Sequence, residues 1–313
     1  MNTSRVRTGP LLLVVGALVG VLAACGSAAD LAGQSEPTSE ATSATESPTV
    51  SPTASPTESP TSPASPTTPE PTAEPTPAVD RPSPGQCRKV NRFDATLRVV
   101  ATDNAGVPCS RGHNAQTYKV TKMSARVKKA VNADNSKQIY LAARGSCDGA
   151  LPNWLRVGEE TQQMSQFEFI VGVPGSTDIS AGANWVRCDV VLRNGRTQLA
   201  ALPRTTKGAL NGAKGRKYQS CIRAANIANA FNGSFTCQQR HNWRAVSAFR
   251  LGGQNKSYTS SARLTARARS RCSADVRDYL NTTLSFQYGY ILPTQELWKY
   301  GDRFGVCFAQ TTN

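Results

Sequence analysis

The sequence predicts an α+β fold: two tandem, small, disulfide-stapled domains, each a mostly antiparallel sheet with a packed helix, carried on a disordered Pro/Thr/Ser-rich tether. Three observations predict it. Beyond Cys25, eight cysteines fall as two sets of four: Cys87, Cys109, Cys147, Cys188 and Cys221, Cys237, Cys272, Cys307. The only two histidines, His113 and His241, sit in the same element, Cys-x3-His-Asn, after the second cysteine of each set. Residues 26–83 hold almost no large apolar side chain, and Pro, Thr, Ser and Glu dominate them. Such a composition cannot bury enough surface to offset its ordering entropy.

In chain order, Arg5 and Arg7 precede the apolar run "PLLLVVGALVGVL", which ends in Leu22-Ala23-Ala24-Cys25. The run has signal-peptide length and is short for a membrane span. Its end resembles the bacterial lipobox, which implies that residues 1–24 are a lipoprotein signal peptide and that Cys25 carries palmitate as the mature N-terminus. The expected location is the extracytoplasmic face of the bacterial cell membrane, held there by lipid. Residues 25–83 then form the tether. At about 3.1 Å per residue in polyproline II it reaches up to about 180 Å, enough to hold a domain off the membrane.

Charge divides the chain again. It has 36 lysines and arginines and 21 acids. Arg5 and Arg7 are the only bases before residue 81, against eight acids, so residues 81–313 hold 34 bases and 13 acids, a net of +21. A basic globular part on an acidic tether predicts an anionic partner: a cell-wall polymer or a membrane surface. Nucleic acid is in the wrong compartment for an exported protein.

The folded part is written twice: residues 84–200, a basic linker at 201–217, and residues 218–313. "SARVKKA" follows His113 and "SARLTAR" follows His241. Ile139, Ala143 and Cys147 recur every four residues, as do Leu264, Ala268 and Cys272. That period predicts a helix packed by one face around the third cysteine, over 260–280 in the second copy and ended early by Gly149 and Pro152 in the first. Pro174-x7-Gly182-x5-Cys188 matches Pro293-x7-Gly301-x5-Cys307. "AQTYKVTKM", "QFEFIVGV" and "NWVRCDVVL" have strand composition, as do "WRAVSAFRL", "TLSFQYGYIL" and "DRFGVCFAQ".

Paired cysteines in an exported chain predict disulfides. Four cysteines allow three pairings per copy. The favoured one joins first to second and third to fourth: Cys87–Cys109, Cys147–Cys188, Cys221–Cys237 and Cys272–Cys307. The second bridge of each copy then staples the helix to a strand beneath the core. No close Cys-x2-Cys pair is present, so neither metal nor cofactor is expected. The histidines are expected to hold the turn after the disulfide, with Asn114 and Asn242 in that turn.

No G-x-S-x-G, H-E-x-x-H or phosphate loop occurs, and no catalytic residue is expected. An enzyme acting on wall material would need a cleft from both copies, with His241, Glu296 and Asp302 at hand.

"PTQELWKYGDRFGVCF", residues 293–308, resembles the closing motif of the septum-formation-related domain of actinobacterial lipoproteins. Pro293, Trp298, Gly301, Asp302 and Arg303 carry the likeness. The Cys-x3-His element is similar to that family's Cys…Pro-His stretch, with Gly112 and Arg240 where Pro is usual. The resemblance covers 84–195 and 218–311. The second copy is the closer, because the first has Gly182-Ala183-Asn184 in place of Gly-Asp-Arg. The resemblance implies a role in septum formation and cell division, and no reaction. The chain therefore reads as a non-enzymatic envelope-binding or scaffolding module. Arg263, Arg267 and Arg271, four apart on the second-copy helix, are its candidate anion-binding residues. An adaptor for an envelope or division protein is the alternative.

Overall fold

The eight cysteines and their apolar neighbours organise two sheets. The computed structural model of the chain describes residues 80–90, 99–100, 106–230 and 233–311. The expected signal peptide, Cys25 and nearly all of the tether lie outside these residues. The first half runs β1 (Cys87–Arg88), β2 (Val99–Val100), β3 (Gly106–Val107), β4 (Ala115–Lys122), α1 (Ala125–Asn132), α2 (Ser136–Asp148), α3 (Leu151–Leu155), α4 (Glu159–Gln163), β5 (Phe167–Gly172), α5 (Ser176–Ser180), β6 (Trp185–Asn194) and β7 (Gln198–Ala200). The second half runs β8 (Ser220–Ile222), β9 (Phe235–Thr236), β10 (Trp243–Arg250), α6 (Ser261–Leu280), β11 (Tyr288–Ile291), α7 (Gln295–Lys299) and β12 (Phe304–Gln310), with 3-10 turns at Ala213–Tyr218 and Ile227–Asn229.

The fold is α+β. The first sheet is ordered β2-β5-β6-β4-β1-β3, with β7 paired to β6, and the second β11-β12-β10-β8-β9. From β5 to β3 and from β11 to β9 the strand order is the same. Every pairing is antiparallel except the short parallel addition of β2 to β5. A register shift interrupts β4 between Thr117 and Lys119, and β10 between Ala245 and Ser247. Both bulges lie five residues beyond the histidine, where they raise the local twist.

Each sheet buries one face under the predicted helix. α2 begins at Asn135, whose side chain accepts the Gln138 N–H, and Gly149 ends it; Pro152 then sits in the first turn of α3. α6 begins at Ser260, which accepts the Arg263 N–H, and ends at Asn281 in the left-handed conformation. The every-four columns are the buried ones: Ile139, Ala143 and Cys147 on α2, Leu264, Ala268 and Cys272 on α6. All four disulfides join the expected partners: Cys87–Cys109, Cys147–Cys188, Cys221–Cys237 and Cys272–Cys307.

One anchor of the internal alignment does not hold in space. "SARVKKA" forms α1, capped by Ser124, whereas "SARLTAR" opens α6. By the cysteines, α6 corresponds to α2, whose own start is Asn135-Ser136. The first half therefore carries an additional helix, and its Ser-Ala-Arg likeness reflects two separate helix starts with the same capping chemistry. The strand expected over "TLSFQYGYIL" is confined to Tyr288–Ile291.

The segment 201–217 connects the halves but is packed. Leu202, Leu210 and Tyr218 are buried in the first-half core. Gly215 lies against the Leu210 backbone so closely that no Cβ fits. Backbone bonds Gln166 N–H to Tyr218 O and Ser220 N–H to Met164 O then join the halves directly, each under 3 Å. All described residues belong to one compact unit, Pro71–Asn313.

Candidate functional site

The repeated Cys-x3-His-Asn element places its residues identically in both halves. His113 Nδ1 lies 3.0 Å from Arg111 O, and His241 Nδ1 lies 2.7 Å from Gln239 O. A carbonyl only accepts, so in each ring Nδ1 carries the proton and donates. Both rings are buried. Asn114 accepts the Val90 N–H at 2.7 Å and donates to Val90 O at 2.9 Å. Asn242 does the same with Ala224, at 3.0 and 2.8 Å. Val90 and Ala224 each lie three residues after the first cysteine of their set. The asparagine amide thus stands in for a strand partner and extends the β1–β4 and β8–β10 pairings by one step. The element is a repeated structural clasp.

Cys221 Sγ, Cys237 Sγ and a ring nitrogen of His241 lie within 4.8 Å of one another. Both sulfurs are spent in the disulfide, so they offer no thiolates to a metal while it is intact.

The closing motif also has a structural account. Thr294 caps α7 by accepting the Leu297 N–H. Pro293 precedes that cap and is buried. Trp298 is buried and donates its indole N–H to Lys256 O at 2.7 Å. Asp302 Oδ1 accepts the Phe304 N–H. Arg303 stacks on Trp298, 4.2 Å from the ring centroid, and donates to the carbonyls of Gly253, Gln254, Trp298 and Asp302. Burial, then the positive Arg144 nearby, pulls the Arg303 pKa below its ordinary value. Four carbonyl acceptors and an aromatic face suit a planar guanidinium better than an ammonium.

The motif does a second thing that the sequence does not show. Gly301, at φ 86°, faces the first half. A Cβ there would overlap the Arg144 guanidinium of α2. Arg144 is held by Asp148 at 2.7 Å and by Gln254 of the second half at 3.1 Å. Tyr140 meets Tyr300, and Lys137 of α2 pairs with Glu296 of α7 at 3.3 Å. Arg250 also pairs with Glu159 across the junction. A polar cavity of about 90 Å³ remains here, bordered by Arg144, Asp148, Glu168, Asp302 and Arg303. That is room enough for ordered water. Arg144, Lys137 and Gln254 were invisible to sequence reasoning because their partners across the junction lie more than 100 residues away.

The arginine stripe of α6 is less free than its spacing predicts. Arg267 donates to Leu251 O and Arg250 O and lies over Phe249. Arg271 pairs with Asp275 at 2.9 Å. Arg263 is exposed. Two of the three candidates are thus engaged: Arg267 holds α6 to its own half, and Arg271 pairs within the helix. His241, Glu296 and Asp302 do not share a concavity: His241 borders an open one beside Arg223 and Arg240, and Asp302 the junction cavity. Glu296 is exposed between Lys137 and Lys299.

Beneath the outer face of the first sheet, Arg187 and Asp189 form a buried ion pair at 2.7 Å. Thr117 donates to Asp189, and Arg88 reaches Thr117. A buried pair of this kind is weak evidence for stability and stronger evidence for a fixed arrangement.

No helix of the described residues is long and apolar enough to cross a membrane. No curated protein and no solved structure matches the chain. A family match does, running as one stretch through both halves, residues 84–307, under the description septum formation. With the disulfide frame, the clasp and the closing-motif residues Pro293 to Arg303 all inside that stretch, the chain belongs to the septum-formation family.

Proposed function

We propose that this protein is a non-enzymatic module of the bacterial envelope that serves septum formation by binding an anionic wall polymer or lipid surface. The observation that carries the reading is the use made of the recurring residues. The histidines, asparagines, Trp298, Asp302 and Arg303 all hold backbone in place. Meanwhile residues 81–313 keep a net charge of +21. A basic, cross-linked body is suited to attract and hold a polyanion. The shared strand order and disulfide positions support two copies of one unit, fused through a packed connection. Cys25 supplies the lipid anchor in this reading, and the tether supplies reach.

The full oxidised chain, in detergent, mixed with isolated cell wall across a salt series tests it. Pelleting that falls steeply with salt is expected, because exposed charge pairs are screened within about 10 Å at 0.1 M. A chain that stays in solution at low salt overturns it. A protein partner is the second reading, and one place favours it. Among the described residues β11 is the outer strand of its sheet; its last residue, Ile291, is 41% exposed, and Leu284, four residues before the strand, is 75% exposed. Capture by a division protein that is lost on changing Leu284 to Glu would favour that reading.

A further inference from the structure

Gly182 and Gly301 occupy the same place in the two halves, and both hold positive φ, 97° and 86°. What faces them differs. Gly301 is covered by Arg144 across the junction. Gly182 faces open space, and a Cβ there would meet nothing within 4 Å. Concavities open on both sides of its turn. One, about 380 Å³, is bordered by Arg81, Lys122 and Trp185; the other, about 220 Å³, by Met123, Lys128 and Asn132. They share Gly182, Ala183 and Asn184, so the two form one trough across the turn.

The chemistry of this trough is one-sided. Arg81, Lys122 and Lys128 are all exposed, and none has an ion-pair partner among the described residues. No carboxylate borders either concavity. The acids nearest in sequence, Asp80 beside Arg81, Asp134 after α1 and Asp178 of α5, line neither. Within the turn, Asn184 Oδ1 and Trp185 Nε1 are buried and lack partners. Trp185 itself is 5% exposed. A buried donor and a buried acceptor left unmet are costly, so this turn has polar capacity that the chain does not fill. At the Gly301 turn, that place is taken by Arg144 with its attendant Asp148. At the Gly182 turn, three cations surround it. A second arginine is disfavoured there and an anion is favoured.

We propose that the Gly182 trough is the binding site for an anionic, hydroxyl-bearing polymer, a saccharide or polyol chain carrying phosphate or carboxylate groups. Arg81, Lys122 and Lys128 pair its charges. The bare Gly182 face lets its backbone lie against the turn, and its oxygens and hydroxyls serve Trp185 and Asn184. The proposal rests on the polyanion-binding reading above and assigns it a place, away from the α6 arginines.

The test uses the full oxidised chain in detergent, with polyglycerol phosphate, polygalacturonate and neutral dextran as probes. Two charge-matched variants are compared: Lys122→Glu with Lys128→Glu, and Arg263→Glu with Arg269→Glu on α6. All four side chains are exposed, and circular dichroism melts check that both variants fold. Expected are no binding to dextran, about a tenfold loss for the trough variant, and about a twofold loss for the α6 variant. The Trp185 indole N–H resonance of the unaltered chain shifts with the polyanion. Preference for polyglycerol phosphate or for polygalacturonate identifies phosphate or carboxylate as the group held. Equal losses in both variants, with a still Trp185 resonance, overturn the trough and leave diffuse attraction. Failure of the unaltered chain to bind either polyanion overturns the broader reading as well.

Discussion

Asn242 makes two hydrogen bonds to one backbone residue, and Asn114 repeats them. Replacing Asn242 with Ala strands the N–H of Ala224, whose C=O still accepts the Trp243 indole N–H at 3.0 Å. The expected loss is about 1–3 kcal/mol, read from the urea midpoint, and Asn114→Ala, which takes the hydrogen-bond partner from both the N–H and the C=O of Val90, should cost more. Replacement by Asp, which keeps the acceptor and loses the donor, should fall between. The Cys-x3-His-Asn spelling was legible because both halves carry it without a gap. The partners Val90 and Ala224 were not, since a backbone acceptor has no residue signature. Glu296 gives a pH prediction at the same scale. Hydrogen bonds from Lys299 and then Lys137 hold its pKa below the usual glutamate range. The contact with α2 is therefore intact at neutral pH and above, and is lost as pH falls through that depressed value. Carboxyl titration by NMR should show the low midpoint, and Lys137→Ala should raise it toward the ordinary one. Glu296 is fully exposed, so the midpoint is the readout and not the melting temperature.

Helices were legible where a period repeats, and strands where β-branched and aromatic residues gather. The every-four columns located α2 and α6, and runs of strand-like composition located β4, β5, β6, β10 and β12. α1 was obscured by a Ser-Ala-Arg that matches a helix start elsewhere, because capping chemistry is local and says nothing of which helix follows. Turn glycines separate local strain from contact. Ala at residue 182 must adopt positive φ, a cost of about 1–2 kcal/mol, with nothing to strike. Ala at residue 301 meets the same backbone penalty and also the Arg144 guanidinium. Gly301→Ala should therefore destabilise more than Gly182→Ala in urea unfolding. The excess should vanish when Arg144 is also Ala, while the Gly182→Ala cost should not change. An unchanged excess would mean that Gly301 is strained by its own half and that the junction contact is incidental.

At the scale of the molecule, the question is whether the halves stand alone. A boundary at 201–217 was the natural expectation, since Gly and basic residues crowd that segment and no period marks its apolar residues. Leu202, Leu210 and Tyr218 nevertheless complete the first-half core, and the bonds from Tyr218 and Met164 continue straight into the second half. Arg144 on Gly301, Lys137 with Glu296 and Arg250 with Glu159 close the opposite side of the junction. Separating the halves while both stay folded would pull Tyr218 out of the first-half core, break the backbone bonds at Gln166 and Ser220, and leave the junction's charges without their partners. Each buried polar group left unmet costs about 1–3 kcal/mol, a large share of the whole stability of a small domain, about 5–15 kcal/mol. Unfolding of the oxidised chain should therefore be a single calorimetric transition, with equal calorimetric and van 't Hoff enthalpies. The disulfides stay intact throughout, so both cores remain tightly looped in the unfolded state. Two resolved transitions would mean that the halves are independent domains joined by a loosely held strap. In that event Gly301→Ala should leave the lower transition untouched whenever it belongs to the first half. A single transition that splits on Gly301→Ala would locate the coupling at the Arg144 contact.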